Sequence, residues 1–117
     1  MARAYTPRRG DVVWLSFTPQ AGHEQAGVRP ALVLSPIEYN RKVGLAVVCP
    51  VTSKVKGYPF EVELPPGLKI VGAVLADQVK SLDWRVRKAR FAASLSRELL
   101  DEVTARLRVL VDPEGAA

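Results

Sequence analysis

Leu45-Ala46-Val47-Val48-Cys49-Pro50-Val51-Thr52-Ser53-Lys54 is the stretch on which the fold turns. Its opening run is apolar without a break, which predicts a strand buried on both faces. It ends in two hydroxyls and a cation, and strand ends with the loops after them are where functional groups are often presented. A simple turn cap by Thr52 and Ser53 is the alternative reading of the same residues.

Upstream, Val12-Val13-Trp14-Leu15-Ser16-Phe17 is β-branched and aromatic and ends at Thr18-Pro19, a second strand. Gln20 to Val28 holds Gly22 and Gly27 and reads as a loop. Pro30 then opens a short buried strand, Ala31-Leu32-Val33-Leu34. Ser35-Pro36-Ile37-Glu38 has the form of a capping box with proline at the first helical position, predicting a short helical turn that Gly44 ends. Downstream, Phe60-Glu61-Val62-Glu63-Leu64 alternates and points Phe60, Val62 and Leu64 inward. Pro65-Pro66-Gly67 is a turn. Val71 to Ala76 is the next strand, and Arg87 to Ser94 the last, charged as befits an edge. A helix follows, with Ser96 as N-cap, Glu98 in its first turn and Leu99, Leu100, Val103, Leu107 and Leu110 as its apolar stripe. Asp112-Pro113 stops it. The expected class is α+β: a strongly curved antiparallel sheet carrying one C-terminal helix, with barrel-like closure.

Composition bounds the function. The chain has 117 residues, an apolar share of 48% and a charged share of 25%, which excludes a disordered or fibrous protein. That length makes one domain over 1–117, with a core from about 9 to 111 and a short flexible C-terminal tail. The apolar stretch Val43 to Val51 is broken by Gly44 and Pro50 and falls short of the roughly 20 residues a membrane span needs. No signal peptide is visible at Met1. The lone Cys49 reads as a buried structural thiol in a reducing cytoplasm. Net charge is +5, and residues 1–58 carry all of that excess. Within the neutral second half, Lys80, Arg85, Arg87, Lys88 and Arg90 cluster beside Asp83. Such segregation suits a polyanion on one side.

Familiar chemistries are missing. There is no Gly-rich phosphate loop and no serine-nucleophile elbow. One His and one Cys leave no ordinary zinc site, and a two-histidine acid–base nuclease is impossible within one chain. Asp11, Glu24 and Asp77 are scattered. As carboxylates that could hold magnesium they leave a metal nuclease open as the lesser reading; no cofactor is expected. What remains is Gly22-His23-Glu24-Gln25-Ala26-Gly27-Val28-Arg29, a polar loop running into a strand. Pro30 restricts the backbone of the residue before it, so Arg29 is a positioned guanidinium. An ion pair with Glu24 or Asp77 that merely closes the loop is the competing reading.

Several of these segments carry a resemblance. Arg9-Gly10-Asp11-Val12-Val13-Trp14, Glu24-Gln25-Ala26-Gly27-Val28-Arg29-Pro30-Ala31-Leu32-Val33-Leu34-Ser35-Pro36, Pro50-Val51-Thr52-Ser53, Lys56-Gly57-Tyr58-Pro59-Phe60-Glu61-Val62 and Leu75-Ala76-Asp77-Gln78-Val79-Lys80-Ser81-Leu82-Asp83-Trp84-Arg85 together resemble the MazF/PemK family of toxin endoribonucleases. The resemblance implies a small SH3-like barrel with a C-terminal helix (the CcdB/MazF-like toxin fold) and a homodimer. It implies metal-independent cleavage of single-stranded mRNA and neutralisation by a MazE-like antitoxin whose acidic tail occupies the RNA groove. Its catalytic residues fall on Arg29 and Thr52, with supporting Glu24. Gln25, Ser53, Lys56 and Asp77 fall in its groove-lining segments, and single-stranded RNA would run along Lys54, Gln78, Lys80, Arg85 and Arg87 beside them. Ser16 and Thr18 depart from acidic residues of some relatives, in the region that bears on which bases are read. Trp14 and Trp84 are assigned to core packing rather than base stacking. The alternatives to weigh are a non-catalytic CcdB-like gyrase poison, against which the C-terminus lacks an aromatic anchor, and an SH3-like RNA-binding module.

Overall fold

The computed structural model describes residues 4–17 and 27–115. These form β1 (Asp11–Ser16), β2 (Val28–Val33), α1 (Ile37–Val43), β3 (Leu45–Thr52), β4 (Glu61–Glu63), β5 (Ala73–Leu75), β6 (Lys80–Asp83), β7 (Arg90–Ser94) and α2 (Arg97–Val111). The strands make one antiparallel sheet in the order β4-β5-β3-β2-β1-β7, with β6 added to β3.

One buried cluster draws Val62 from β4 and Ala92 and Ala93 from β7, the two ends of that order, together with Val12, Leu32, Cys49, Val51 and Val74. Strands at opposite ends can share a core only if the sheet curls strongly. A register shift at Val12/Val13 against β7 helps it bend. Leu100 and Val103 of α2 close this core. Leu99 and Leu107 pack at its margin, whereas Leu110 is 49% exposed. The helical stripe thus runs one turn further in the sequence than in the packing.

Alternate residues of the inner strands fill a second cluster on the other face: Val13 and Leu15, Ala31 and Val33, Ala46 and Val48, under Trp84. Burial on both faces accounts for the unbroken apolar run in β3. Trp84 is 7% exposed, and its indole N–H donates to the Asn40 carbonyl, a core role. Trp14 also packs against the first cluster.

Local expectations fail in four places. Strand β2 begins at Val28, not at Pro30, because Val28 and Arg29 continue the ladder with Ser16 and Leu15, so Arg29 lies within a strand. Ser35 does not cap α1: Pro36 is the N-cap, and the Ser35 hydroxyl donates to Asn40 Oδ1 while accepting from the Val47 N–H. The serine ties α1 to β3 instead. Strand β6 is absent from the sequence reading, because Lys80-Ser81-Leu82-Asp83 is mostly polar and gains its ladder only from the free edge of β3. The final strand starts at Arg90, not Arg87. Asp83 accepts the N–H groups of Arg85 and Val86, and Lys88 takes φ 55, so residues 84–89 are a turn. Ser96 caps α2 as expected, accepting from the Leu99 N–H.

Candidate functional site

Strand β3 changes partner along its length. Its first part pairs with β2 and β6, and its end, Val51 and Thr52, pairs with β5. The β2–β3 ladder stops at Ala31 opposite Pro50. Proline has no N–H to give a ladder, so Pro30 and Pro50 end the pairing where they meet. Continued two residues further, the same register sets Arg29 across from Thr52. These two residues therefore flank the opening where the strands part.

A cleft of about 390 Å³ occupies that opening. Arg29, Thr52, Ser53, Lys54, Gln78 and Lys80 line it, above apolar groups that include Ala31, Val48, Val51 and Leu82. Three cations and no acid are among its lining residues. Neither the Arg29 nor the Lys54 nor the Lys80 side chain forms an ion pair with another described residue. Like charges gathered in a concave site favour an anionic ligand. Apolar surface beside them suits a ligand that alternates phosphates with flat bases.

Thr52 is oriented by its neighbours. Its Oγ1 accepts the Lys54 N–H at 3.1 Å, which leaves the hydroxyl proton for another acceptor. Behind it, Gly72 has φ 129, and a Cβ there would stand 1.9 Å from the Thr52 carbonyl oxygen. Only glycine lets β5 approach closely enough to seat Thr52 at the cleft.

The remaining predicted residues are distributed as follows. Arg29 makes no pair with Asp77, whose carboxylate instead accepts the Tyr58 hydroxyl. Glu24, Gln25 and His23 lie outside the described residues. Lys56 and Asp77 do not line the cleft; the Lys56 backbone N–H donates to Glu61. Arg87 reaches the cleft indirectly, stacking 4.8 Å over the Phe17 ring and donating to the Ser16 carbonyl. Phe17 is itself a cleft residue, also faced by Lys80 at 5.9 Å, and nothing in its strand-like sequence context singles it out. Arg85 is elsewhere. It stacks 4.7 Å over Trp84 and donates to the Arg41 carbonyl, beyond the Asp83–Leu45 end of the β6–β3 ladder. That is the end of β3 remote from Thr52.

Burial first, and Asp77 second, push the Cys49 thiol up to about 12, so it stays neutral and unreactive in the core.

Residues 8–111 match the family described as PemK-like, MazF-like toxin of type II toxin-antitoxin system. The chain belongs to that family. It is 47% identical over 111 residues to the endoribonuclease toxin MazF of Escherichia coli K12, covering 95% of this chain and 99% of that protein. The endoribonuclease PemK of Escherichia coli is 32% identical, over 88% of this chain and 80% of PemK. Among solved structures, a MazE–MazF complex from Deinococcus radiodurans superposes with TM-score 0.87 at 56% identity, covering 92% of this chain and 97% of that one. The fold expected from the resemblance, an antiparallel sheet with a C-terminal helix of the CcdB/MazF type, is the fold observed. No described helix of this MazF-family chain is long and apolar enough to cross a membrane.

Proposed function

We propose that this chain is the toxin of a type II toxin–antitoxin pair, a cytoplasmic, metal-independent endoribonuclease that cuts single-stranded mRNA and so arrests translation. The observation that carries the reading is Arg29, exposed and without an ion-pair partner among the described residues, across an interrupted ladder from a threonine whose hydroxyl proton is free to donate.

RNA brings its own nucleophile. The ribose 2′-oxygen bonds to the adjacent phosphorus as the P–O5′ bond breaks, giving a 2′,3′-cyclic phosphate and a 5′-hydroxyl. One proton must leave the 2′-oxygen and one must reach the 5′-oxygen. The Arg29 fork binds the non-bridging oxygens most tightly as charge accumulates on the phosphorane, and Thr52 adds a donor to the same oxygens. A preorganised donor of this kind typically lowers a barrier by about 3–4 kcal/mol. Arginine is a poor base at neutral pH. Arg29 therefore serves charge stabilisation and donation toward the leaving oxygen, with Glu24 orienting it. Ser53, Lys54, Gln78 and Lys80 hold the flanking strand, with Gln25, Lys56 and Arg87 as its further contacts.

The solved Deinococcus relative is a MazE–MazF complex. By analogy this chain forms a homodimer and is silenced by a MazE-like antitoxin, whose acidic segment would compete with RNA for the three cleft cations. The test is incubation of purified protein with a long RNA in excess EDTA, followed by end mapping. Cyclic phosphate and 5′-hydroxyl termini are expected. Intact RNA overturns the enzyme reading in favour of a binding module, and cutting that EDTA abolishes points to a metal nuclease.

A further inference from the structure

The loop joining β3 to β4 is tied down at three points outside the cleft. The N–H groups of Lys56 and Gly57 both donate to the Glu61 carboxylate, Lys56 at 3.0 and 3.1 Å to its two oxygens and Gly57 at 2.6 Å. Gly57 takes φ 82, which lets successive N–H groups face one carboxylate. Arg106 of α2 donates to the Pro59 carbonyl at 2.9 Å. Between these anchors, the Tyr58 hydroxyl donates to Asp77 Oδ1 at 2.5 Å, within the range of a charge-assisted hydrogen bond.

That last bond joins two segments that both contribute residues to the cleft. Tyr58 stands on the loop that begins with Thr52, Ser53 and Lys54. Asp77 immediately precedes Gln78, on the turn leading to Lys80. Neither Tyr58 nor Asp77 lines the cleft itself. We infer that the Tyr58–Asp77 bond is a latch that fixes the Thr52–Lys54 segment of the cleft lining relative to the Gln78–Lys80 segment, with Glu61 holding the loop that carries Tyr58. The inference rests on the endoribonuclease reading of the cleft and adds positioning residues to it. A direct RNA contact by Asp77 is the rival role. It is disfavoured because a carboxylate repels phosphate and because Tyr58 already occupies one of its oxygens.

A double-mutant cycle on a short single-stranded RNA separates the two roles. Tyr58→Phe removes only the hydroxyl. About a tenfold rise in KM is expected, the scale of one charge-assisted hydrogen bond, with kcat within about twofold and the melting temperature lower by only a few degrees. Asp77→Ala is expected to match it, and the double variant to be no worse than either single one. Amide exchange at Lys54, whose N–H bonds Thr52 Oγ1, should accelerate in Tyr58→Phe, and Glu61→Gln should accelerate exchange at Lys56 and Gly57. An unchanged KM in Tyr58→Phe overturns the latch, as does an Asp77→Ala loss that multiplies with it. Unchanged Lys54 exchange does the same. Wild-type protein that fails to cut RNA would sink the nuclease reading alone, since the exchange measurement still decides the latch.

Discussion

Helix α2 and the cleft treat their cations in opposite ways. On the helix, each Arg of the Arg97–Asp101, Arg106–Glu102 and Arg108–Asp112 pairs has an acid four residues away, at 3.0, 3.1 and 3.7 Å. In the cleft, Arg29, Lys54 and Lys80 stand together without an acid among the lining residues. The helical pairs are solvated and worth little, about 0.3–0.5 kcal/mol each. The cleft cations repel one another and contribute nothing of that kind to folding. Charge neutralised locally belongs to the scaffold, whereas charge left concentrated in a concavity belongs to a ligand.

The largest effect that sharpens this contrast is Arg29→Ala. Cleavage of RNA should fall by roughly 10²–10³-fold, while the melting temperature holds or rises slightly, read from initial rates and calorimetry on the same preparation. A loss of stability would place Arg29 with the helix rather than with the ligand. Gly72→Ala should blur the two regions. Its Cβ would collide with the Thr52 carbonyl, so denaturant unfolding should show a loss of more than about 1 kcal/mol together with reduced cleavage.

A smaller change is expected from Lys54→Ala and Lys80→Ala. Each should flatten the dependence of log affinity for single-stranded RNA on log salt by about 0.7, measured with Arg29→Ala as background so that binding is seen without cutting. Cys49 tests the core beneath the cleft. Its raised pKa means the folded thiol keeps its proton while the unfolded one, with an ordinary value of 9.0, loses it. Its contribution is intact below pH 9.0 and declines as pH climbs toward about 12. Cys49→Ala should therefore make the alkaline fall in stability shallower. The least effect belongs to Arg97→Ala, at most about 0.5 kcal/mol by chemical denaturation and no change in cleavage.

Legibility in the sequence followed the range of the forces involved. The α2 cap and stop, the Gly44 terminus of α1 and the apolar runs of β1 to β3 depend on neighbouring residues, and they stand where the local pattern set them. Strand β6 depends on a vacant edge of β3, which nothing in Lys80–Asp83 announces. Among the candidate site residues, Arg29, Thr52, Ser53, Lys54, Gln78 and Lys80 meet in one cleft. Charge and nearness along the chain group Arg85 with them, yet the turn at residues 84–89 carries it to the far end of β3. Nothing in the sequence marks Tyr58 and Glu61 as functional, because their partners are a carboxylate 19 residues on and two backbone amides.

By itself the sequence determined where β1 to β5 and the long helix lie, because periodicity and capping act over a few residues. It also determined that Pro30 and Pro50 withhold their N–H groups from any ladder. Only the tertiary structure decided that those two prolines meet. Pairing of β2 with β3 sets the register, and the ladder's failure at that point opens a cleft with Arg29 facing Thr52. Side chains 23 positions apart in the chain become neighbours only through a hydrogen-bonded register, and register is a property of the whole sheet.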